Sequence, residues 1–175
     1  GFGLEKKHIL LSPAIDVDFF NASHIHLEIA GSQKRPLRIL SVGRLQWKKG
    51  YEYALAAVAK CVAQGFLCEY HIIGDGEFFE GISFARHQLE LEQVVILSGE
   101  QPRAVVKTEM VWADVFLHAA VSEGFCNAVI EAQAMRLPIV ATDAGGLPEN
   151  LVDGETGFVV PRRSPQALAE KIILL

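Results

Sequence analysis

Glu123 and Glu131 are two acids whose spacing suits the binding of a polyhydroxylated ligand. Both lie in the segment 122–132, directly after an apolar run that ends near His118. A helix that begins near Phe125 would leave Glu123 in the loop before it and place Glu131 about two turns along it, so that both carboxylates can face one cleft. Because a carboxylate accepts hydrogen bonds from two vicinal hydroxyls, the pair predicts contacts with a ribose diol and a hexose hydroxyl.

A purely structural interpretation of these two acids is the alternative. Glu123 would then stabilise the first turn of a helix, and Glu131 would be a solvated helix residue. Glu131 is flanked in sequence by Val129, Ile130 and Ala132, and a merely solvated acid is unexpected among apolar neighbours. The sequence therefore favours a binding role for the pair.

A basic loop at residues 43–50 leads directly into a segment with helical periodicity from Tyr51. The loop contains Gly43, Arg44 and Lys49. A helix N-terminus presents unpaired N–H groups and a partial positive charge, and Arg and Lys neutralise phosphate oxygens, so the combination predicts a diphosphate site. The glycine spacing matches neither a Walker A loop nor the dinucleotide-binding fingerprint. A solvated basic loop is the alternative interpretation.

Two glycine-rich turns follow other apolar runs. One is Gly74-Asp75-Gly76 and the other is Gly145-Gly146. Each predicts a tight turn whose backbone N–H groups can approach a ligand closely.

The elements that must position these residues alternate between short apolar runs and helical segments, which predicts a doubly wound α/β domain with a parallel sheet covered on both faces. The predicted strands are 37–42, 68–73, 94–97, 114–118, 138–142 and 157–160. The predicted helices are 51–64, 77–91, 125–135, one that begins near 102 and one that opens at 164–165. In such sheets ligands bind beyond the carboxyl ends of the strands, so we expect the site in the loops after Val42, Ile73, Leu117 and Thr142.

Residues 1–36 do not show this alternation of apolar runs and helical segments, and we interpret them as a lead-in or interdomain segment. Residues 37–175 form the predicted domain. The chain opens with Gly1-Phe2-Gly3 rather than with Met. We therefore expect a fragment of a longer protein.

Composition excludes several classes of protein. The chain has 175 residues, half of them apolar, with a net charge of −5, which predicts one folded domain and excludes a broad attraction for nucleic acid. No apolar run approaches the about 18 to 20 residues of a membrane-spanning helix. Cys61, Cys68 and Cys126 cannot all pair within the chain, which favours a reduced, cytoplasmic setting.

No metal site is predicted. Asp16-Val17-Asp18 has the form of a metal-binding pair but lies in the lead-in segment, away from every predicted strand end. The six His residues show no zinc-binding spacing. His118, at the end of a strand, is interpreted as a wall of the pocket because the sequence names no acid partner for it.

Together these motifs resemble, in order and spacing, the retaining glycosyltransferases of the GT-B fold, family 4. They are Gly43-Arg44-Leu45 with Lys49-Gly50, Gly74-Asp75-Gly76, Glu123-Gly124-Phe125 with Glu131, Ala144-Gly145-Gly146 with Glu149, and the run 153–157. The resemblance covers about residues 36–175. It is to the C-terminal of two Rossmann-like domains, the one that holds the nucleotide-sugar donor, so the acceptor-binding N-terminal domain would lie outside this chain.

The resemblance implies a role for each matching residue. Arg44 and Lys49 would bind the diphosphate and, with Glu123 on the transferred sugar, form the catalytic set; Glu131 would bind the ribose. The remaining implied donor-binding residues are Gly43, Gly74, Gly124, Phe125, Cys126 and Asn127. The implied donor is a UDP-, GDP- or ADP-sugar, with no metal cofactor. Peripheral membrane association of the full-length enzyme stays open, and this chain alone is expected to be inactive in transfer.

Two departures from the family pattern and two other functions are noted. Ala119-Ala120 stands where Pro-Ser is common, and Cys126 stands where Gly is frequent, so the turn before Glu123 and the approach to the sugar can differ. A nucleotide-sugar 2-epimerase of the GT-B fold is the nearest enzyme alternative. A non-catalytic nucleotide-sugar binding module is the alternative from another class.

Overall fold

The computed structural model describes residues 14–22 and 35–175. Its strands are β1 Leu37–Val42, β2 Cys68–Ile73, β3 Val95–Leu97, β4 Val115–His118, β5 Ile139–Thr142 and β6 Gly157–Val160. Its α-helices are α1 Tyr51–Ala63, α2 Phe79–Gln88, α3 Arg103–Trp112, α4 Asn127–Ala134 and α5 Pro165–Leu174. Short 3-10 helices cover Trp47–Lys49 and Leu147–Asn150.

All neighbouring strands are parallel, in the order β3-β2-β1-β4-β5-β6. The predicted doubly wound, Rossmann-like sheet is therefore confirmed. The chain builds outward from β1 on one side and from β4 on the other, so the loops after these two strands diverge and leave a crevice between them. The sequence analysis predicts the ligand-binding site at this edge of the sheet.

Apolar side chains on both faces of the sheet explain why it is covered on both sides. On β1, Ile39 packs into one core with residues of α1 and α5, while the adjacent Leu40 packs into a second core with residues of α3 and α4. Successive residues of a strand point to opposite faces, so a run that is apolar at every position needs two layers of helices. No helix in the described part of the chain is both long and apolar enough to cross a bilayer.

The differences between prediction and structure lie at the ends of elements. Three strands begin one residue later than predicted, at Val95, Val115 and Ile139. The predicted helix 77–91 is shorter, at Phe79–Gln88. The prediction that a helix begins near Phe125 is wrong by two residues, because α4 begins at Asn127 and Cys126 is its extended N-cap. The Cys126 N–H donates to Asn150 Oδ1 at 3.2 Å, and this bond holds the residue out of the helix.

The lead-in segment packs against the domain over its described part. Asp16 accepts hydrogen bonds from the N–H groups of Phe19, at its side chain, and Phe20, at its backbone. This turn drives Phe20 into the core beside α3, where it is 1% exposed. The guanidinium of Arg103 lies 4.9 Å from the Phe19 ring centroid, a favourable cation–π distance. The assignment of residues 1–36 to a separate segment stays a prediction.

Asp114 ties the end of this segment to the sheet. Its carboxylate accepts two hydrogen bonds from the Arg35 guanidinium, at 2.6 and 2.7 Å, and one from the Arg38 N–H at 2.9 Å. Burial alone would raise the pKa of Asp114, but these donors outweigh it and hold the pKa below its usual value. A carboxyl with a depressed pKa stabilises the folded state only while it is ionised.

Asp114→Asn should lower the free energy of unfolding by about 1 to 2 kcal/mol at pH 7, since it removes the charge that Arg35 pairs with. The folded pKa lies below the unfolded one, so the stabilisation is complete above about pH 5 and is lost as the pH falls below about 4. Urea denaturation at pH 7 and pH 3 measures this, with the exposed Asp18→Asn as a charge-matched control. A deficit of equal size at both pH values would contradict the assignment.

Candidate functional site

Main-chain hydrogen bonds join the loop after β1 to the loop after β4. The Lys48 carbonyl accepts from the N–H groups of Val121, at 2.8 Å, and Ser122, at 3.2 Å. Gly50 makes this contact possible, because it has φ +64° and a Cβ there would lie 2.1 Å from the Ala119 carbonyl oxygen. The predicted basic loop and the predicted acidic loop are therefore one surface.

The glycine turn after β5 packs behind the same loop. The Gly146 N–H donates to the Glu123 carbonyl at 3.1 Å, and a Cβ on Gly145, which has φ +57°, would lie 2.1 Å from that carbonyl oxygen. The turn thus supports the backbone of Glu123 through direct contact with its carbonyl group.

A cluster of charged side chains forms where these loops meet. Lys49 Nζ makes an ion pair with Glu123 Oε2, and His118 Nε2 lies 3.1 Å from the same oxygen. The Gly124 N–H donates to Glu123 Oε1 at 3.2 Å. The side chains of Lys49 and Glu123 are 15% and 10% exposed, so this ion pair is screened much less than a surface pair.

Burial and the neighbouring groups shift the acid–base equilibria of the cluster in opposite senses. Burial would raise the pKa of Glu123, but His118 and Lys49 outweigh it and lower this pKa to about 2. Burial would lower the pKa of His118, but Cys126 and Glu123 outweigh it and raise this pKa. These shifts favour the ionised form of Glu123 and the protonated form of the His118 imidazole.

Cys126 is a third member of the cluster on the buried side. Its Sγ lies 3.6 Å from His118 Nε2, and the residue is 4% exposed. Burial would raise the pKa of Cys126, but His118 and Lys49 lower it overall. The backbone N–H of Cys126 donates to Asn150 and that of Gly124 to Glu123, so both groups are engaged within the protein.

Gly43, Arg44 and Gly74 border a cavity of about 480 Å³ at the ends of β1 and β2. Glu100 and Gln101, from the loop after β3, also line it. Arg44 lines a second, adjoining space of about 320 Å³ together with Gln46, Lys48 and Lys49. We call this second space the basic recess. It is lined by both cations that were predicted to bind a diphosphate, and through Lys49 it lies next to Glu123.

Glu131 lies on the second turn of α4 and is half-buried, outside the Lys49–Glu123 pair. Burial raises its pKa, opposed by the charge of Arg103. Phe125 is partly buried and Asn127 exposed at the start of the helix. The interpretation of Glu123 as a first-turn acid is wrong, because Glu123 lies four residues before the helix begins.

The sequence missed the role of His118 in this cluster. It named no acid partner, yet Glu123 lies five residues further on and returns to His118 in space. A His at the carboxyl end of a strand, followed within one short loop by an acid, is the signal that could have indicated the pair.

Gly145→Ala should lower the free energy of unfolding by about 2 to 4 kcal/mol, because the new methyl meets the Glu123 carbonyl and the positive φ is strained. Gly154→Ala is the matched control: Gly154 has φ +79°, and no atom lies within 4 Å of the point that an alanine Cβ would occupy. Comparing the thermal denaturation of the two variants separates the cost of the steric clash from the cost of the strained backbone. Equal losses in the two variants would show that Gly145 does not support Glu123.

Comparisons with known proteins agree with this architecture. The amylovoran biosynthesis glycosyltransferase AmsK of Erwinia amylovora is 35% identical over 156 residues, covering 86% of this chain and 38% of AmsK. The chain spans between 35% and 39% of the length of AmsK and of two further curated relatives that it matches.

Solved structures match the fold. A glycosyltransferase from Rickettsia africae superposes with a TM-score of 0.81 at 21% identity, over 95% of this chain and 46% of that one. HepE of Anabaena, solved in complex with UDP and glucose, superposes with a TM-score of 0.77 at 24% identity, over 91% of this chain and 45% of HepE. The sequence profile of the family described as glycosyl transferases group 1 matches residues 24–175, so the chain belongs to that family.

Proposed function

We propose that this chain is the donor-binding half of a retaining, family 4 glycosyltransferase that transfers a hexose from a nucleoside-diphosphate sugar to an acceptor hydroxyl. The observation that carries the proposal is the Lys49–Glu123 pair at the crevice between β1 and β4, beside the basic recess that Arg44 lines. The two cations that would bind a diphosphate therefore lie next to the carboxylate that would bind a sugar hydroxyl.

Arg44 and Lys49 would stabilise the leaving group. As the glycosidic bond breaks, negative charge grows on the nucleoside diphosphate, and fixed cations lower the free energy of that charged state. The two side chains can supply this stabilisation without a metal cofactor.

Donor binding would rearrange the ion pair. Lys49 faces Glu123 in the structure, so a diphosphate in the recess would compete with this carboxylate for the ammonium group. His118 lies on the same oxygen of Glu123 and would continue to compensate its charge when Lys49 turns towards phosphate. Glu123 would then be free to accept a hydrogen bond from the transferred sugar.

The nucleoside would occupy the cavity of about 480 Å³ bordered by Gly43 and Gly74, with Glu131 accepting from the ribose hydroxyls. A half-buried carboxylate with a raised pKa gains most from donors that replace lost water. HepE, whose fold this chain shares, was solved with UDP and glucose, which supports a nucleotide sugar as the donor class.

The acceptor would be bound by the part of the enzyme outside this chain. AmsK is named for amylovoran biosynthesis, which supports a function in carbohydrate biosynthesis. Because a closed cleft between two domains is needed to exclude water from the reacting sugar, we expect this chain alone to bind donor weakly and to transfer inefficiently.

Lys49→Ala and Arg44→Ala should each weaken nucleoside-diphosphate binding by about tenfold or more, since each removes a charge-assisted hydrogen bond. Calorimetric titration with UDP, GDP and ADP measures this and identifies the base. Lys60→Ala, an exposed charge at the far end of α1, is the control and should leave the affinity unchanged. Unaltered affinity in both site variants would refute the diphosphate assignment.

Glu131→Gln should weaken UDP binding by about three- to tenfold through loss of the ribose contact. The measurement is a double cycle: wild type and variant are each titrated with UDP and with 2′-deoxy-UDP. If Glu131 binds the 2′-hydroxyl, the two losses are not additive. Additive losses would place Glu131 away from the ribose.

A further inference from the structure

His118, Glu123 and Cys126 bring three kinds of metal ligand to one point. The imidazole comes from the end of β4, the carboxylate from the following loop and the thiol from the N-cap of α4. Their ligand atoms all lie within 4.8 Å of one another. The three side chains are largely buried, which distinguishes them from an exposed acidic cluster.

The two distances from the imidazole nitrogen to the other ligand atoms are close to those of a tetrahedral zinc site. Zn–N bonds of about 2.0–2.1 Å and Zn–S bonds of about 2.3 Å place nitrogen and sulfur about 3.5 Å apart around one ion. In the structure His118 Nε2 is 3.6 Å from Cys126 Sγ and 3.1 Å from Glu123 Oε2. An ion can therefore enter with little movement of the protein.

The imidazole points one nitrogen at two acceptors. His118 Nε2 faces both the sulfur of Cys126 and the carboxylate of Glu123, and a single N–H cannot make a linear hydrogen bond to each. A cation between the three groups satisfies all of them, because it accepts a lone pair from each ligand.

Lys49 occupies the side of this cluster that faces the basic recess. Its side chain is long and flexible, so it can turn into the recess and open a path to Glu123. A carboxylate and a thiolate would offset the two charges of the ion, and water would complete the tetrahedron.

We infer that His118, Glu123 and Cys126 bind Zn²⁺, and that this ion excludes the nucleotide sugar by taking Glu123 and displacing Lys49. The binding rests on the geometry alone. The competition rests on the proposed function, which places both residues on the donor. The ion is an inhibitor and takes no part in the transfer.

Zinc binding is tested on the untagged chain without nucleotide. Calorimetry with ZnCl₂ gives the affinity, and titration with Co²⁺ gives a sulfur-to-metal charge-transfer band if Cys126 is a ligand. Cys126→Ser, nearly the same size, should abolish the band and weaken Zn²⁺ binding by at least about tenfold, and His118→Gln should weaken it likewise. Cys68→Ala, a buried thiol outside the cluster, should retain both.

Loss of the Co²⁺ band in Cys126→Ser, with circular dichroism showing a folded chain, supports the site. Binding that survives both Cys126→Ser and His118→Gln, or Co²⁺ binding without a sulfur band in the wild type, overturns it. Other His residues of the chain cannot produce the sulfur band, so the spectrum separates this site from a surface one.

Competition is measured by UDP titration with and without Zn²⁺, in wild type and in Cys126→Ser. Zinc also complexes UDP in solution, but equally for both proteins, so only the difference between them reports on the site. A tenfold or greater excess loss of affinity in the wild type supports mutual exclusion, and equal losses overturn it. If UDP does not bind, GDP or ADP takes its place in this titration; failure of all three to bind would refute the proposed function and leave the zinc measurement intact.

Discussion

The ion pair between Lys49 and Glu123 is the interaction around which the rest of the site is arranged. Two charges that are only slightly exposed cost free energy to remove from water, and neither can be removed alone without leaving the other uncompensated. The structure answers this cost by surrounding the carboxylate with donors: the Lys49 ammonium, the His118 ring and the Gly124 N–H. Glu123 is thereby fixed as an anion at a position set by its own loop, the loop after β1 and the end of β4.

The scaffold delivers those stretches through close backbone contact. Gly50 lets the start of α1 approach the end of β4, and Gly145 lets the turn after β5 approach the Glu123 carbonyl. Both contacts occur at the carboxyl edge of the sheet. The connections of this sheet diverge at β1 and β4, and this divergence alone creates a crevice. The fold thus supplies the opening, and the glycines determine how tightly its walls close on the charged pair.

The sheet was readable from the sequence because its strands are apolar runs ended by glycine or polar residues. β1 and β2 match their predicted bounds residue for residue, since each is a mainly apolar run that ends directly before a glycine. The start of α4 was not readable, because it depends on a bond from Cys126 to Asn150, 24 residues away. The partner of His118 is five residues away in sequence, but the contact depends on the path of the loop 119–122, which brings Glu123 back to His118.

The negative charge of Glu123 must be compensated by a positive neighbour, and this requirement links the proposed donor complex with the inferred zinc complex. Glu123 needs a positive neighbour at every stage, and the structure offers Lys49 from the recess and His118 from the sheet. In the proposed function, a diphosphate would draw Lys49 away while the imidazole remained, so the carboxylate would stay ionised and able to bind a hydroxyl. In the inferred zinc complex, the imidazole would be a ligand of the ion, and Lys49 would leave because the ion repels its charge. The two proposals are thus linked through one lysine, because the donor and the metal would each require Lys49 to leave Glu123.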